Sequence, residues 1–321
     1  MSSHYAAALD AARKAAAGQN YPPGALYVVA TPIGNLADIT LRALHVLALA
    51  DAVACEDTRH TQALLRAYGI DKSGAQLMAV HQHNEVQAAQ EVIGRLRQGQ
   101  RVACVSDAGT PAISDPGARL VGAVRAAGLA VVPLPGACSI TTVLSVAGLA
   151  TGDEQKAGFV FLGFLPSKSG ERALAVAALA QQMQALVLLE APHRIEALAA
   201  ALAVLGERPL TVGRELTKQF EEITTLSAGT FGQWLGQAPN RCRGEFVLVL
   251  HPVAVPEHGD AAAQHRLLRL LLAELPLKTA VRLAAEISGA PRNTLYEAAL
   301  ALKNQGDGAE PARVGPSRTM P

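Results

Sequence analysis

The sequence has few of the features that mark secreted, metal-binding or strongly basic proteins. Its 321 residues include only four cysteines, which lie far apart and lack the CxxC or paired Cys/His spacing of a metal or redox site. The 28 basic side chains nearly balance the 27 acidic ones, which excludes a globally basic nucleic-acid binder but not a local basic surface. We expect a cytoplasmic protein with reduced thiols at Cys55, Cys104, Cys138 and Cys242.

Long apolar segments are also missing. No uninterrupted apolar run approaches the ~20 residues that cross a bilayer, and Asp10, Arg13 and Lys14 interrupt the Ala-rich start where a signal peptide would need an apolar stretch. We therefore expect a soluble protein without a membrane partner, beginning with a flexible or weakly helical extension over residues 1–23.

Common nucleotide-binding and metal-binding motifs are absent as well. The sequence contains neither GxGxxG nor GxxxxGK[ST], so neither a standard dinucleotide fold nor a P-loop is supported. His81 and His83 stand two residues apart, but no third ligand follows at a useful spacing. We expect no metal site.

The pattern of apolar residues predicts an α/β protein. From Ala25 to Ala147, short β-rich runs alternate with helical patterns, which predicts a mainly parallel sheet. After a Gly-containing stretch at 148–153, strands follow one another more closely, which predicts a mixed second sheet with antiparallel pairing. Three helical patterns follow a linker over 251–260, and a tight turn at 288–291 separates the last two, as in a helix-turn-helix or a small helical cap.

These patterns divide the chain into successive parts. We predict an N-terminal α/β domain over 24–157, a second α/β domain over 158–252, a C-terminal helical module over 261–304 and a disordered tail over 305–321. Several basic residues in the helical module could contact phosphate, although basic residues on exposed helices are common. They are Lys278, Arg282, Arg292 and Lys303.

A polar loop directly after an apolar strand is the stretch around which we expect the site to form. Residues 106–117 read SDAGTPAISDPG and follow the apolar run 101–105. Gly109 and Gly117 permit tight turns, and free N–H groups at the carboxyl end of a strand bind carboxylate, phosphate or nucleotide ligands. The alternative is an ordinary strand-to-helix turn capped by Asp115.

Two further charged clusters follow predicted strands. Asp57 or Glu56 could act as a general base and Arg59 could hold a phosphate or carboxylate, although an N-cap with a local ion pair explains the same residues. Glu215 and Lys218 lie in a run of alternating charge that should otherwise be at least half-buried. Charges in such places usually have a ligand or an ion-pair partner.

Several motifs, taken together and in order, resemble one family. They are TPIGNL at 31–36, EDTR at 56–59, the loop at 106–117, PGACS at 135–139, EAPHR at 190–194, RELTK at 214–218 and GEFVLV at 244–249. Over roughly residues 24–252, the chain is similar to the ribosomal RNA small subunit methyltransferase I (RsmI) family, within the tetrapyrrole methylase superfamily. The match is looser in the C-terminal helices.

The resemblance implies a homodimer of two-domain α/β subunits with S-adenosylmethionine held between the domains. It also implies methyl transfer to the ribose 2′-hydroxyl of a cytidine in the decoding region of small-subunit (16S) ribosomal RNA, with free RNA or the assembled subunit as partner. Carried over motif by motif, the cofactor-binding residues would be Pro32, Asp107, Ala108, Gly109, Thr110, Cys138, Ser139, Ala191 and Pro192.

For this chemistry the protein has to align the acceptor hydroxyl with an already activated methyl group and help the hydroxyl lose its proton. The catalytic candidates are Asp57 or Glu215 as base, with Arg59 and Lys218 as cations that hold RNA phosphate or lower the pKa of the hydroxyl. Two other functions stay open, methylation of a small tetrapyrrole and RNA binding without turnover. The C-terminal module and the charged motifs favour the RNA-modifying enzyme.

Overall fold

The computed structural model describes residues 5–81, 84–114, 117–149, 158–180, 182–253 and 261–306, which form two compact units that divide at Pro252. Residues 150–157, most of the predicted linker at 251–260, the tail beyond residue 306, His83 and Asp115 lie outside the described residues. The predicted domain boundary at 157 therefore stays a prediction.

The first half of unit 1 is a five-stranded sheet in the order β3-β2-β4-β1-β5, in which all neighbouring strands are parallel. This confirms the predicted parallel sheet. Strands β2 and β4 are short and buried at every position, as expected where helices cover both faces. The strands are β1 (Ala25–Val29), β2 (Ala52–Cys55), β3 (Leu77–Ala79), β4 (Val102–Val105) and β5 (Ala130–Leu134).

The helices that lie between these strands in the chain provide the crossovers that parallel strands require. Thr40 caps one of them by accepting the Ala43 N–H at 3.1 Å, and Asn35 caps the short turn that precedes it. The helices are α1 (Ala6–Ala16), α2 (Leu41–Leu49), α3 (Thr58–Ala67), α4 (Glu85–Arg97), α5 (Ala118–Ala126) and α6 (Ser139–Val146).

The second half of unit 1 is a mixed sheet in the order β6-β7-β10-β8-β9. Only β6 and β7 pair in parallel, and the other neighbours are antiparallel, as the closely spaced strands predicted. The elements are β6 (Phe159–Gly163), α7 (Ser169–Leu179), β7 (Ala185–Glu190), α8 (Ile195–Leu202), β8 (Pro209–Arg214), β9 (Glu222–Ser227), α9 (Phe231–Gly236) and β10 (Phe246–Leu250).

Helix α6 connects the two sheets. Alternate residues of β7 face opposite sides, so that Leu188 packs in a core with α8 whereas Val187 packs with Ile140 and Val143 of α6. Burial of each such side chain contributes about 1.5–3 kcal/mol. The carboxyl end of the first sheet is thereby held against one face of the second, which positions the site.

Helix α1 differs from the flexible extension predicted for residues 1–23. It packs on α2, and Leu9, Ala12 and Ala16 are buried in the core beside the first sheet. These three residues recur at helical spacing and form one face. The stripe is built mainly of alanines, whose small apolar surface makes the pattern weak in the sequence.

Unit 2 is a bundle of three helices, α10 (Ala261–Glu274), α11 (Leu277–Ser288) and α12 (Arg292–Gly306). Its core contains Leu268, Val281 and Leu295. Gly289 ends α11 in a left-handed conformation with φ of 68°, which glycine adopts without strain. Among the described residues, no helix has the length and apolar character needed to span a bilayer.

Candidate active site

Hydrogen bonds tie the loop after β4 to the loops after β1, β2 and β5. Thr31 and Gly109 exchange backbone bonds, with N···O distances of 2.9 and 3.0 Å. Thr110 Oγ1 donates to Ala137 O at 3.0 Å, and Asp57 N–H donates to Asp107 Oδ1 at 3.3 Å. The loop is therefore more than a strand-to-helix turn, because it joins the carboxyl ends of four strands.

The backbone of this loop is constrained at both ends. Gly109 has a φ of 83°, and a Cβ there would lie 3.2 Å from Ile33 Cγ2. At the other end, the buried carboxylate of Glu85 accepts the Gly117 N–H at 3.1 Å. Gly117 is the N-cap residue of α5, whereas Asp115, the cap in the alternative interpretation, lies outside the described residues. Nothing in the sequence singles out Glu85, since its partner lies 32 positions away.

A first cavity of about 360 Å³ lies beside this loop. Its walls are mainly apolar, and the first turn of α6, which has no side-chain cap, contributes to them. Such a cavity suits a small ligand with an apolar body and an anionic end. Most of the predicted cofactor-binding residues line it, namely Ala108, Gly109, Thr110, Cys138, Ser139, Ala191 and Pro192.

A second cavity, of about 400 Å³, adjoins the first. The two cavities share Ile33, Ala108 and Glu245 as wall residues. The other residues that line the second cavity are Pro32, Gly34, Leu36, His60, Ala63, Leu64, Ala67, Asp107 and Lys218. The structure thus places Pro32 and Asp107, both predicted to bind cofactor, in the second cavity.

Lys218 lies between two carboxylates at the wall of the second cavity. Its Nζ is 2.8 Å from Glu215 Oε1 and 3.1 Å from Glu245 Oε2. Burial disfavours the charged ammonium, but the two carboxylates outweigh it and raise the pKa of Lys218. Lys218 is therefore a stable cation at neutral pH.

Glu215 holds this arrangement through one of its carboxylate oxygens. Its Oε1 accepts from Lys218 and from the Glu245 N–H at 2.9 Å. Burial opposes its charge, but these hydrogen bonds more than compensate and lower the pKa of Glu215. Glu215 and Thr217 have φ values of 52° and 65°, a left-handed conformation that is strained for non-glycine residues and is frequent at functional sites.

Asp57 has the capping role that the sequence left open as an alternative. Its Oδ1 accepts from the backbone N–H groups of Arg59 at 2.8 Å and His60 at 3.3 Å, and Arg59 Nη2 lies 3.3 Å from Oδ2. The hydrogen bonds with Arg59 are the main cause of the lowered pKa of Asp57. Asp57, Arg59 and Glu215 line neither cavity.

An ion pair between buried Glu190 and half-buried Arg194 fixes the end of β7 beside the first cavity. Glu190 Oε1 accepts the Ala191 N–H at 3.0 Å and lies 3.0 Å from Arg194 Nε. The side chain of Arg194 also donates to the backbone of Leu165. This pair sets the position of the wall residues Ala191 and Pro192.

Several wall residues of the second cavity were not predicted from the sequence. His60, Ala63 and Ala67 lie on α3 at spacings of three and four residues, so they share one helix face. This spacing is visible in the sequence, but two of the three residues are alanines, whose methyl side chains have no polar or titratable group.

Comparison with known proteins adds two family matches. The family described as "Tetrapyrrole (Corrin/Porphyrin) Methylases" matches residues 25–231, and the family described as "RsmI C-terminal HTH domain" matches residues 258–303. Both matches are consistent with the division into two units.

Individual relatives agree with these matches. The chain is 48% identical over 284 residues to "Ribosomal RNA small subunit methyltransferase I" of Neisseria meningitidis serogroup B, covering 88% of this chain and 95% of that protein. It is also 48% identical over 285 residues to the protein of the same name from Escherichia coli O157:H7, covering 88% and 96%.

Solved structures share the fold at low sequence identity. The cobalamin biosynthetic enzyme cobalt precorrin-4 methyltransferase, CbiF, has a TM-score of 0.52 at 18% identity and covers 72% of this chain and 98% of that one. Diphthine synthase has a TM-score of 0.52 at 15% identity and covers 71% and 90%. At these identities the likeness concerns the fold alone.

Proposed function

The chain belongs to the ribosomal RNA small subunit methyltransferase I family of tetrapyrrole methylases, and from this membership we propose that it transfers a methyl group from S-adenosylmethionine to the ribose 2′-hydroxyl of a cytidine in the decoding region of 16S ribosomal RNA. The family match confirms the resemblance seen in the sequence. The observation that carries the proposal is the pair of adjoining cavities, one suited to a cofactor and one lined by charged groups.

The residues of the first cavity fit S-adenosylmethionine. Gly109 has no Cβ and brings backbone close to the ligand space, and the uncapped amides at the start of α6 suit a carboxylate. Apolar wall residues such as Leu189 and Val247 suit an adenine ring. When bound, the sulfonium supplies an activated methyl group.

The residues of this chain then have to orient the hydroxyl and move its proton. A sulfonium bound in the first cavity would supply the methyl group and keep the electrons of the broken carbon–sulfur bond, and a base of this chain would take the proton of the hydroxyl. Lys218, a cation at the wall of the second cavity, lowers the pKa of a nearby hydroxyl.

The candidate bases differ in their freedom to accept this proton. Asp57 and Glu215, the bases predicted from the sequence, are already hydrogen-bonded and line neither cavity. We assign Asp57 and Glu215 to holding the loops, and Arg59 to contacting the RNA backbone. Asp107 and Glu245 both line the second cavity, but Glu245 is paired with Lys218, so Asp107 is the carboxylate that we assign to accept the proton.

Unit 2 supports an RNA partner. Arg266, Arg269, Lys278 and Arg292 are exposed on its three helices, and exposed basic side chains contact phosphate. A cytidine of 16S ribosomal RNA, free or in the assembled small subunit, would place the enzyme in the cytoplasm, where ribosomes assemble.

A homodimer is part of the proposal. Strand β6 is an edge strand of the second sheet, and Phe159, Leu162 and Phe164 on or beside it are large apolar side chains exposed by 48%, 37% and 53%. Apolar residues concentrated at an edge are typical of protein interfaces. Light scattering on the purified protein would show a dimer mass, and a strictly monomeric active protein would contradict this part.

The substrate class is tested by offering labelled S-adenosylmethionine with three acceptors in parallel. These are small ribosomal subunits from cells that lack the activity, free 16S RNA, and a small tetrapyrrole. We expect label in the RNA of the first or second acceptor. Cofactor binding without transfer to either RNA, or transfer to the tetrapyrrole instead, would contradict the proposed function.

A further inference from the structure

The second cavity has a surface that the acceptor hydroxyl alone does not explain. The acceptor hydroxyl would occupy only the boundary with the first cavity, near Ala108 and Lys218. The second cavity continues beyond this boundary along α3 for two helical turns, from His60 to Ala67. The remaining space calls for a larger group of the substrate.

The wall along α3 is apolar, and two of its residues are alanines. Ala63 is exposed and Ala67 is half-buried, and Leu36 and Leu64 complete the surface. Two alanines on one helix face leave room for a flat ring. Larger side chains at these positions would fill that space. Sites for aromatic ligands combine such apolar walls with a few polar groups.

The polar groups of this cavity are mixed in charge. Asp107 and Glu245 accept hydrogen bonds, Lys218 donates them, and His60 can do either. A nucleobase presents amino donors beside ring-nitrogen and carbonyl acceptors along its edge. A phosphate group would instead require an excess of donors, which two carboxylates oppose.

The cavity is bounded on one side by a close fit between two loops. A Cβ on Gly34 would lie 2.8 Å from Thr217 Oγ1 and 2.9 Å from Leu216 O, and Asn35 N–H donates to Thr217 Oγ1 at 3.2 Å. The loop after β1 therefore contacts the strained loop at 215–218. These contacts hold the two loops together beside the cavity.

We propose that the second cavity holds the base of the acceptor nucleotide, turned out of the RNA so that its ribose lies at the boundary with the first cavity. This inference rests on the proposed function and names the subsite for the base. A base stacked between its neighbours cannot lie in a cavity lined on several sides by protein, so the target nucleotide has to be unstacked or already single-stranded.

The test fills the cavity without touching the cofactor site. In Ala63→Phe the new ring occupies the space along α3, and Ala67→Leu is a second, smaller filling variant. Arg66→Phe is the matched control, because Arg66 is exposed on the same helix and lines neither cavity. We expect kcat/KM for RNA to fall by about tenfold or more in Ala63→Phe and less in Ala67→Leu. The Kd for S-adenosylhomocysteine should stay within about twofold in all three.

Two outcomes on folded protein would overturn the inference. One is an unchanged kcat/KM for RNA in both filling variants. The other is a parallel loss of S-adenosylhomocysteine affinity, which would make the second cavity part of the cofactor site.

A direct binding measurement separates this inference from the proposed function. Cytidine 5′-monophosphate is titrated into wild-type protein saturated with S-adenosylhomocysteine, and the ring resonances of His60 are followed by NMR after assignment with His60→Gln. A shift that is lost in Ala63→Phe supports the base subsite even if no RNA is methylated. An unmoved His60 overturns it even if methyl transfer occurs.

Discussion

Asp57 and Asp107 are adjacent carboxylates with different freedom to act. Both oxygens of Asp57 are used by the first turn of α3 and by Arg59, whereas Asp107 receives only the Asp57 N–H among the hydrogen bonds described for its side chain and lines the second cavity. A general base needs a lone pair directed at the substrate. At the scale of the residue, position therefore matters more than the presence of a carboxylate in a motif.

The first prediction concerns these two residues. Asp107→Asn should lower kcat for RNA methylation by about 100-fold, since general-base catalysis contributes about that much, while S-adenosylhomocysteine affinity changes little. Asp57→Asn should lower kcat by less than about tenfold. Steady-state kinetics with calorimetric binding checks both. The opposite ranking would return the role of base to Asp57.

The second prediction concerns the pH dependence of stability at Glu215. Its folded pKa is lowered, so its charged form stabilises the fold above the ordinary carboxyl pKa, and this contribution is lost as the pH falls through the folded pKa. Glu215→Gln should reduce the free energy of unfolding by about 1–2 kcal/mol near neutral pH, because Lys218 and the Glu245 N–H then donate to a neutral instead of a charged acceptor.

Urea unfolding at several pH values measures this difference, with the exposed Glu171→Gln as control. The difference between wild type and Glu215→Gln should shrink below the ordinary carboxyl pKa. A difference that is constant from neutral to acidic pH would show that charge on Glu215 is not the cause.

At the scale of the element, the loops after the strands determine the site. Strand β1 ends in a loop that contacts the loop after β4 through Thr31 and the loop after β8 through Asn35. The apolar strands only set the positions from which these loops leave. A change where two distant loops touch should therefore affect catalysis more than an equal change inside a helix.

The third prediction tests this with two glycines. Gly34→Ala should displace the loop at 215–218, because Leu216 O is backbone and cannot move aside, and kcat/KM for RNA should fall by about tenfold. Gly94→Ala, in α4 with nothing within 4 Å of the new methyl group, should keep full activity and gain about 0.5–1 kcal/mol in stability. Equal activity of the two variants would contradict the role given to the fit between these loops.

The fourth prediction concerns Arg208, which joins several elements of the second half of unit 1. Its guanidinium donates to His251 O at 2.8 Å, Leu179 O at 2.7 Å and Gln182 O at 3.2 Å. Arg208→Met should destabilise the protein by about 3 kcal/mol or more, because these carbonyls lose their donor. Urea unfolding measures the loss, and the exposed Arg243→Met should change stability by less than about 0.5 kcal/mol.

The same elements show what the sequence could predict. Strands such as Val102–Val105 and helices such as Glu85–Arg97 have clear apolar periods, and they form part of the alternation of strands and helices that the sequence predicted between Ala25 and Ala147. Helix α1 was missed as a packed element because its buried stripe is built largely of alanine.

The sequence predicted those parts of the site that lie in a local motif and missed those formed by residues distant in the chain. The SDAGTP loop indicated the first cavity, because a loop whose backbone comes close to a ligand needs glycine at a fixed position. By contrast, Asn35 and its partner Thr217 are 182 positions apart, and Glu85 and its partner Gly117 are 32 positions apart. No local pattern contains such pairs, so the second cavity became visible only in the fold.

At the scale of the whole molecule, the two units have different tasks in the proposed function. Unit 1 contains both cavities, and unit 2 supplies exposed cations on a small three-helix core. Chemistry in unit 1 should therefore be separable from RNA affinity in unit 2.

The fifth prediction tests this separation. Replacing Lys278 and Arg292 with alanine should weaken binding to small subunits. It should also reduce the slope of the logarithm of the binding constant against the logarithm of the salt concentration, by up to about one unit for each phosphate that the variant no longer neutralises. S-adenosylhomocysteine affinity should be unchanged. The control is Lys168→Ala, which removes an exposed lysine from unit 1. An unchanged salt slope would show that these two side chains bind no phosphate.

The position of the transferred methyl group within the nucleoside tests the proposed function most directly. Small subunits methylated with labelled S-adenosylmethionine are digested with nuclease, and the labelled nucleoside is identified by mass spectrometry. We expect a single 2′-O-methylcytidine, with the label on the ribose. Label on the base, or on a nucleoside other than cytidine, would contradict the proposed transfer to a ribose hydroxyl at the boundary of the two cavities.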